Sequence, residues 1–380
     1  MKAPVTSRKS RVTLHQAKRE WPLLVTVVTM GLFLAWGGRW LADLSHPAWF
    51  TFVLGWLFAV ILLSTFAVVR HAELLAGKLG EPVGTLILTL AVTGIEVAMI
   101  VALMYTGKGN PALARDAMFA VVMIVMNGMV GLSLVLGGLR HHEQTYNLQG
   151  ANAFLAVIVP LAVLCMVLPN FTTTTAGPTL SPAQAVFVAV MSVALYGVFL
   201  AIQNLRHREY FVAPEFPSPP RAHHAGGHEF RSVGYHVALL IAYLLPLVVL
   251  AKQLAVPIDH GIAVLHAPAA LSGFLVAIVV LSPESMSAAR AALANELQRS
   301  MNILLGSVLA TISLTIPAVL VIGFATGRAI VLGLDAANMV LLVLTLGVST
   351  LTFASPRTNV LLGAVHLLLF LTYLMFMFDK

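Results

Sequence analysis

The run Gly80-Glu-Pro-Val-Gly-Thr-Leu-Ile-Leu-Thr-Leu-Ala-Val-Thr-Gly-Ile-Glu96-Val-Ala-Met-Ile-Val-Ala-Leu-Met104 decides how this chain must be read. It is long enough to cross a bilayer, which takes about 20 apolar residues, yet it carries Glu96 deep inside. A second segment of the same type, Leu271–Pro283, is followed at once by Glu284. A carboxyl group in the hydrocarbon region costs about 2.5–3.5 kcal/mol on insertion scales, so an acid kept there marks a candidate functional site. Two such acids, in matching places of two chain halves, point to one shared site.

The rest of the chain has the same character. Of its 380 residues, 59% are hydrophobic and only 10% charged, against about 25% charged in an ordinary soluble domain. This is the composition of a polytopic membrane protein, and it excludes a soluble or nucleic-acid-binding role. The net charge of +7 sets orientation in such a protein and needs no polyanionic partner. The single cysteine, Cys165, excludes an intramolecular disulfide and any multi-cysteine metal site.

Working outward from the acidic run, apolar segments of spanning length fall at 22–41, 48–69, 83–105, 117–138, 150–168, 182–203, 233–250, 261–282, 301–325, 336–354 and 358–378. These are 11 transmembrane helices in an all-α protein. The eighth is expected to run on to about 295, because Glu284 follows it directly. The first 21 residues hold Lys2, Arg8, Lys9, Arg11, Lys18 and Arg19. A basic start can mark a signal peptide, but the apolar run after it is too long and lacks a small-residue cleavage site, so it reads as a retained first span. With the N-terminus inside, 16 of the 22 Lys and Arg residues fall on inside segments. That bias puts the N-terminus in the cytoplasm and the C-terminus outside.

The longest connection, 204–232, contains Phe216-Pro-Ser-Pro-Pro-Arg-Ala-His-His-Ala-Gly-Gly-His228 and reads as a cytoplasmic His/Pro-rich linker. Its histidines could bind metal or sense pH; a solvated linker is the simpler account. The linker divides the chain into a basic N-terminus with the first helix (1–47), a first five-helix repeat (48–203) and a second (233–380). Ser181-Pro-Ala-Gln at the sixth span pairs with Ser355-Pro-Arg-Thr at the eleventh. Met126-Asn-Gly-Met-Val-Gly-Leu-Ser-Leu pairs with Gly306-Ser-Val-Leu-Ala-Thr-Ile-Ser-Leu. Five spans per copy is an odd number, so the second copy enters the membrane upside down. Inverted repeats of this kind build secondary transporters with a site at the midplane.

Two facing carboxylates at that midplane suit a simple cycle. The empty pair carries two negative charges where the dielectric is low, and cannot easily be occluded. One Ca2+, or two protons, makes it neutral, so protons and metal compete for the pair. If only the neutral forms cross, cation movement one way is coupled to proton movement the other. Ca2+ takes 6–8 oxygen ligands, more than two carboxylates supply. Gly94 lies just before Glu96 and Pro283 just before Glu284, and both are expected to break their helices, free carbonyls and line the path. Asn127 and Ser307 offer further oxygens, with Gly306 and Thr311 beside them, and Thr89 and Thr93 lie about two turns and one turn before Glu96. These polar residues are either ligands and path lining or interhelical hydrogen bonds between packed helices. His366 is either a proton relay or a hydrogen-bonded interior histidine. Glu81 and Asp335 read as interfacial. No resident cofactor is called for: the metal is cargo, Ca2+ or alternatively Na+ or K+.

At these residues the chain resembles the calcium/cation antiporter superfamily in its Ca2+/H+ exchanger branch, most of all the ChaA-type calcium/proton and sodium-potassium/proton antiporters. The motifs that carry the likeness are Gly80-Glu-Pro-Val-Gly-Thr-Leu-Ile-Leu-Thr-Leu with Glu96, Gly137-Gly-Leu-Arg-His-His-Glu-Gln-Thr-Tyr-Asn147, and Asn295-Glu-Leu-Gln-Arg-Ser-Met-Asn-Ile-Leu-Leu-Gly-Ser-Val-Leu-Ala-Thr-Ile-Ser-Leu-Thr-Ile-Pro317. The resemblance implies that the acid of each repeat, Glu96 and Glu284, binds the cation, and that Gly306-Ser307 is the element of the following helix. The broader family often writes Gly-Asn-Ala-x-Glu around each acid. Here the text is Val-Thr-Gly-Ile-Glu96 and Leu-Ser-Pro-Glu284, and Asn127 stands where Ser is usual. These changes sit in the ligand shell and leave Na+ or K+ open beside Ca2+.

An intramembrane zinc protease would need two His flanking a Glu at helical spacing. His142-Glu143-Gln-Thr-Tyr146 and His228-Glu229-Phe-Arg-Ser232 both lack the second His, so the chain is not read as an enzyme. A passive cation channel is the other rival, distinguished by flux indifferent to a proton gradient.

Overall fold

The computed structural model describes residues 20–80, 83–104, 110–175, 177–213 and 232–379. Glu81, the basic N-terminal residues and the His cluster at 223–228 lie outside the described residues. Eleven helices carry the fold: α1 Trp21–Trp40, α2 Pro47–Leu79, α3 Val83–Met104, α4 Leu113–His141, α5 Leu148–Met166, α6 Pro182–Arg206, α7 Val233–Val264, α8 Ala270–Leu293, α9 Leu297–Thr326, α10 Ala336–Thr352 and α11 Val360–Phe378. Ten of them are long and apolar enough to cross a membrane among the described residues; α10, with 17 residues, is the shortest. The protein is a polytopic bundle with one helix ahead of two sets of five.

Local chemistry fixes the helix starts. Ser181 caps α6 and exchanges hydrogen bonds with Gln184 in a capping box. Asp335, Asn359, Asn147 and Ser232 cap α10, α11, α5 and α7 through the same type of side-chain acceptor. The residues Ser355–Thr358, expected to open α11, instead form a bend and a short strand ahead of it. That strand, β2 (Arg357–Thr358), pairs antiparallel with β1 (Gln144–Thr145).

Two boundaries differ from the hydropathy reading. The eighth helix starts at Ala270, not 261, because α7 runs straight through Pro246 and Pro257 to Val264. Its break comes at Leu265-His266-Ala267-Pro268, where His266 takes a φ of 50° and Pro268 disfavours helix in the residue before it. The second helix extends 33 residues, past Arg70 and His71, to Leu79. Neither Gly94 nor Pro283 breaks its helix: α3 and α8 are continuous through them. The irregular backbone lies in the next helix of each half. Met123–Met129 in α4 and Thr311–Thr315 in α9 are π-helical, a form concentrated at functional sites because it re-aims side chains within a turn.

α4 and α9 form the buried centre. Glycines let their neighbours close on backbone. A Cβ on Gly131 of α4 would stand 2.9 Å from the carbonyl of Gly363 in α11, and one on Gly363 would stand 2.7 Å from the carbonyl of Gly131. Gly273 of α8 meets Ala117 of α4 in the same way, at 2.6 Å. α1 lies at the edge, on α2 and α7. Thr26 and Ser64 share a hydrogen bond of 2.7 Å midway along it, and Phe33, Trp40 and Trp56 interlock toward its end.

The bundle has a linker end, where α6 finishes and α7 begins, and a far end. The far end is sealed by main-chain acceptors. Arg328 donates to the Met104 carbonyl at 2.8 Å and Arg115 to the Gly333 carbonyl at 2.9 Å. Val331 N–H donates to the Pro111 carbonyl and Leu334 N–H to the Met166 carbonyl.

Candidate cation-binding site

The site is assembled on α9. Its residues Ser307 and Thr311 are four apart, so their side chains stack on one face about 6 Å from each other. The Ser307 hydroxyl donates to Glu284 Oε2 of α8 at 2.5 Å. The Thr311 hydroxyl donates to Glu96 Oε2 of α3 at 2.9 Å. The chain passes from α-helical to π-helical geometry between these two donors. One helix of the second half thereby holds the acid of each half.

The two carboxyls are not equally placed. Glu284 lines a cavity of about 460 Å³ with Thr89, Thr93, Gly306, Ser307 and Thr311. Glu96 is 2% exposed and stands behind that wall, one hydroxyl away. Its second oxygen, Oε1, is buried with no hydrogen-bond partner among the described residues, although the Thr315 hydroxyl, one turn beyond Thr311 and itself unpartnered, is near enough to act on the carboxyl. A buried carboxyl oxygen without a donor is costly unless a proton or a cation completes it. The two acids are close enough to interact electrostatically. All donors gathered here are oxygens, which suits a hard cation. Among the described residues no group of three or more His, Cys, Asp or Glu side chains is placed to hold a metal.

The cavity leads to the linker end. It shares Val69, Glu73, Ser287 and Arg299 with a wider vestibule of about 900 Å³ bounded by α1, α2, α8 and α9. Pro283, read from sequence as path lining, faces this vestibule and not the inner cavity.

Asn127 is placed differently from the expectation. Its amide donates to Thr345 Oγ1 at 2.8 Å, and its Oδ1 faces His366 Nδ1 at 3.1 Å. His366 Nε2 meets Thr352 Oγ1 at 3.0 Å. With Nδ1–H donating and Nε2 accepting, the neutral imidazole satisfies every partner. His366 is thus a hydrogen-bonded interior histidine, and Asn127 spends its polar atoms on Thr345 and His366. Gly94 sits in α3 with nothing within 4 Å of the place a Cβ would take, and it does not line the cavity.

Sequence reasoning missed Glu73 and Arg299 because both fall between the apolar runs, Glu73 after 48–69 and Arg299 just before 301–325. Their place on long helices was legible only from the length of α2 and from the start of α9. It also missed a cluster at the start of α1. Glu20 Oε2 accepts from Arg70 at 2.7 Å and from Tyr243 at 3.1 Å, and meets His71 Nε2 at 3.3 Å; His71 Nδ1 in turn faces His236 Nδ1 at 3.1 Å. Burial opposes the charge on Glu20, but His71, Arg70 and Tyr243 together outweigh it and hold the carboxyl below its ordinary range.

Known proteins share this architecture. The chain is 46% identical over 313 residues to y4hA of Sinorhizobium fredii, covering 82% of this chain and 84% of that protein. It is 44% identical over 325 residues to the sodium-potassium/proton antiporter ChaA of Escherichia coli, covering 84% and 86%. The solved structure of native YfkE superposes with a TM-score of 0.71 at 16% identity, covering 94% of this chain and all of that one, and shares the fold. The family model for the sodium/calcium exchanger protein matches twice, at residues 49–205 and 235–378. With most of its length covered by that model, one match on each side of the linker, the chain belongs to the sodium/calcium exchanger protein family.

Proposed function

We propose that this chain is a secondary active cation/proton antiporter, working by alternating access at a seat made by Glu96 and Glu284. The observation that carries the reading is the pair of hydroxyls on α9, each holding one acid, with Glu96 Oε1 without a hydrogen-bond partner among the described residues. A cation arriving in the cavity can take oxygens from Glu284, from Ser307 and Thr311 after their hydroxyls rotate, and from Glu96 behind them. Two protons neutralise the same carboxyls when the cation leaves. Neutral forms cross the low-dielectric interior; the doubly charged form does not. Exchange follows from that rule alone.

Ca2+ is the cargo this seat fits best, since one divalent ion balances two carboxylates and hard oxygens surround it. A second reading, Na+ or K+ together with one proton, is favoured by the 44% identity to a protein named as a sodium-potassium/proton antiporter. The cycle would expel cytoplasmic cation against inward proton flow across a bacterial inner membrane. The bias of Lys and Arg supports placing the linker end in the cytoplasm, and the cavity then opens inward.

The test uses everted membrane vesicles holding a pH-sensitive dye. Ca2+, Na+ and K+ are added in turn to an energised preparation. Proton release from the lumen by Ca2+ supports the first reading, and release by Na+ or K+ alone supports the second. Glu96→Gln and Glu284→Gln should each abolish the response. Retention of proton-coupled flux by either variant defeats the two-acid seat, and cation flux indifferent to the proton gradient defeats antiport.

A further inference from the structure

We infer that Glu73 is the capture carboxylate of this transporter: the charge that draws a cation from the vestibule into the passage to Glu284, with Arg299 as its competitor when the passage is empty. The inference rests on the antiporter reading and adds a residue to its path. Glu73 lies on α2, about two turns from its end, on the part of that helix beyond the apolar run 48–69. It lines both the wide vestibule and the inner cavity. A cation moving from one to the other therefore passes it. Glu284 lies on the inner side of that junction and interacts electrostatically with Glu73.

Charge at this junction is balanced in a particular way. Arg299, near the start of α9, lines the same two cavities and interacts with Glu73, and its own ion pair is with Glu296 at 3.3 Å. In an empty passage the guanidinium offsets the carboxylate. An incoming cation takes its place, and a divalent ion does so more effectively than a monovalent one because the attraction scales with charge. The outer vestibule also carries Arg290, Glu296 and Arg70, the last tied to Glu20, so the pull on a cation is local to the junction where Glu73 stands. The site beyond then fills faster at low cation concentration, with little change in how the seated ion is held. The role is one of capture and discrimination, separate from seating.

The experiment compares the full-length wild type with Glu73→Gln, Glu73→Asp and Arg299→Gln in everted and right-side-out vesicles at low ionic strength. CaCl2 is the probe, or NaCl if the wild type exchanges only Na+. Glu73→Gln should raise the half-saturating concentration about five-fold, with a smaller effect on maximal rate, and only from the face bearing the linker. The difference should shrink at high ionic strength, where exposed charges are screened, and Glu73→Asp should restore most of it. Arg299→Gln should shift the half-saturating concentration downward from the same face, and it decides the matter if Glu73→Gln fails to reach the membrane. Equal shifts on both faces, or no shift in either variant, overturns the inference while leaving antiport intact. A wild type without cation/proton exchange defeats the antiporter reading instead, and this inference with it.

Discussion

Ser307 and Thr311 stand one turn apart on α9, and each gives its hydroxyl to a different glutamate, Glu284 at 2.5 Å and Glu96 at 2.9 Å. The geometry of the candidate seat is therefore set by one helix. Ser307→Ala and Thr311→Ala each remove one donor to a buried carboxyl. In the seat proposed above the same hydroxyl oxygens turn to the cation, so each substitution removes one ligand and should weaken cation affinity by about ten-fold, equivalent to about 1.4 kcal/mol. Because both act on one seat, the double variant should lose less than the product of the two. Half-saturating concentrations in vesicles measure this, and strict additivity would argue for two separate sites.

Thr311→Ser keeps the hydroxyl and removes a methyl. It should hold exchange near the wild-type level, where Thr311→Val, similar in shape and without a donor, should not. Initial rates for the two variants side by side separate hydrogen bonding from packing.

Gly131→Ala and Gly363→Ala place a methyl group against backbone that cannot turn aside. The nearest atoms are main-chain carbonyl oxygens at 2.9 and 2.7 Å. Overpacking of this kind costs about 1–3 kcal/mol. Either variant should lower the thermal midpoint of the detergent-solubilised protein by several degrees. Gly94→Ala, with open space around it, should leave the midpoint within a degree or two.

His366→Leu strands the Asn127 amide oxygen and the Thr352 hydroxyl in the core. An unsatisfied buried group costs about 1–3 kcal/mol, so stability should fall. The pH dependence of exchange by the surviving folded protein should keep its shape. A displaced pH profile would make His366 a participant in proton movement.

Glu20 ties the start of α1 to α2 and α7. Its carboxyl is held below the ordinary value of 4.5 in the folded protein. A depressed acid contributes stability that is fully present above the unfolded value and is lost as pH falls through the folded one. Glu20→Gln should therefore lower the thermal midpoint at pH 7, and the gap from wild type should narrow below about pH 4. A gap constant across that window would mean that the carboxylate charge has no part in docking α1.

The bundle was legible because bilayer thickness imposes a length on every apolar run, and the two acids because charge is so costly inside one. Ser307 and Thr311 were legible as candidates, because hydroxyls on a membrane helix stand out, but the residues alone did not decide between ligand and interhelical hydrogen bond. Asn127 was read by analogy between the halves, and the fold breaks that analogy by packing His366 of α11 against it. Gly94 and Pro283 looked like breakers because residue preferences are those of helices in water. Neighbouring helices in a membrane core tolerate both, and the distortion moved into π segments that no residue type announces. The apolar run 233–250 likewise ended short of the helix, which continues through Pro257 to Val264. Glu73 escaped notice because a window of spanning length ends before it, although the helix does not.

The glycine contact between α4 and α11 joins a helix of the first half to one of the second, main chain on main chain. The two glycines have no side chain to change rotamer, and Val135 and His366 pack tightly beside them, so the two helices behave as a welded plate. The halves of this protein are then not the parts that swing. Whatever opens the far end must divide the bundle along another line, through contacts made by side chains that can slide, and must carry α4 and α11 together on one side of it.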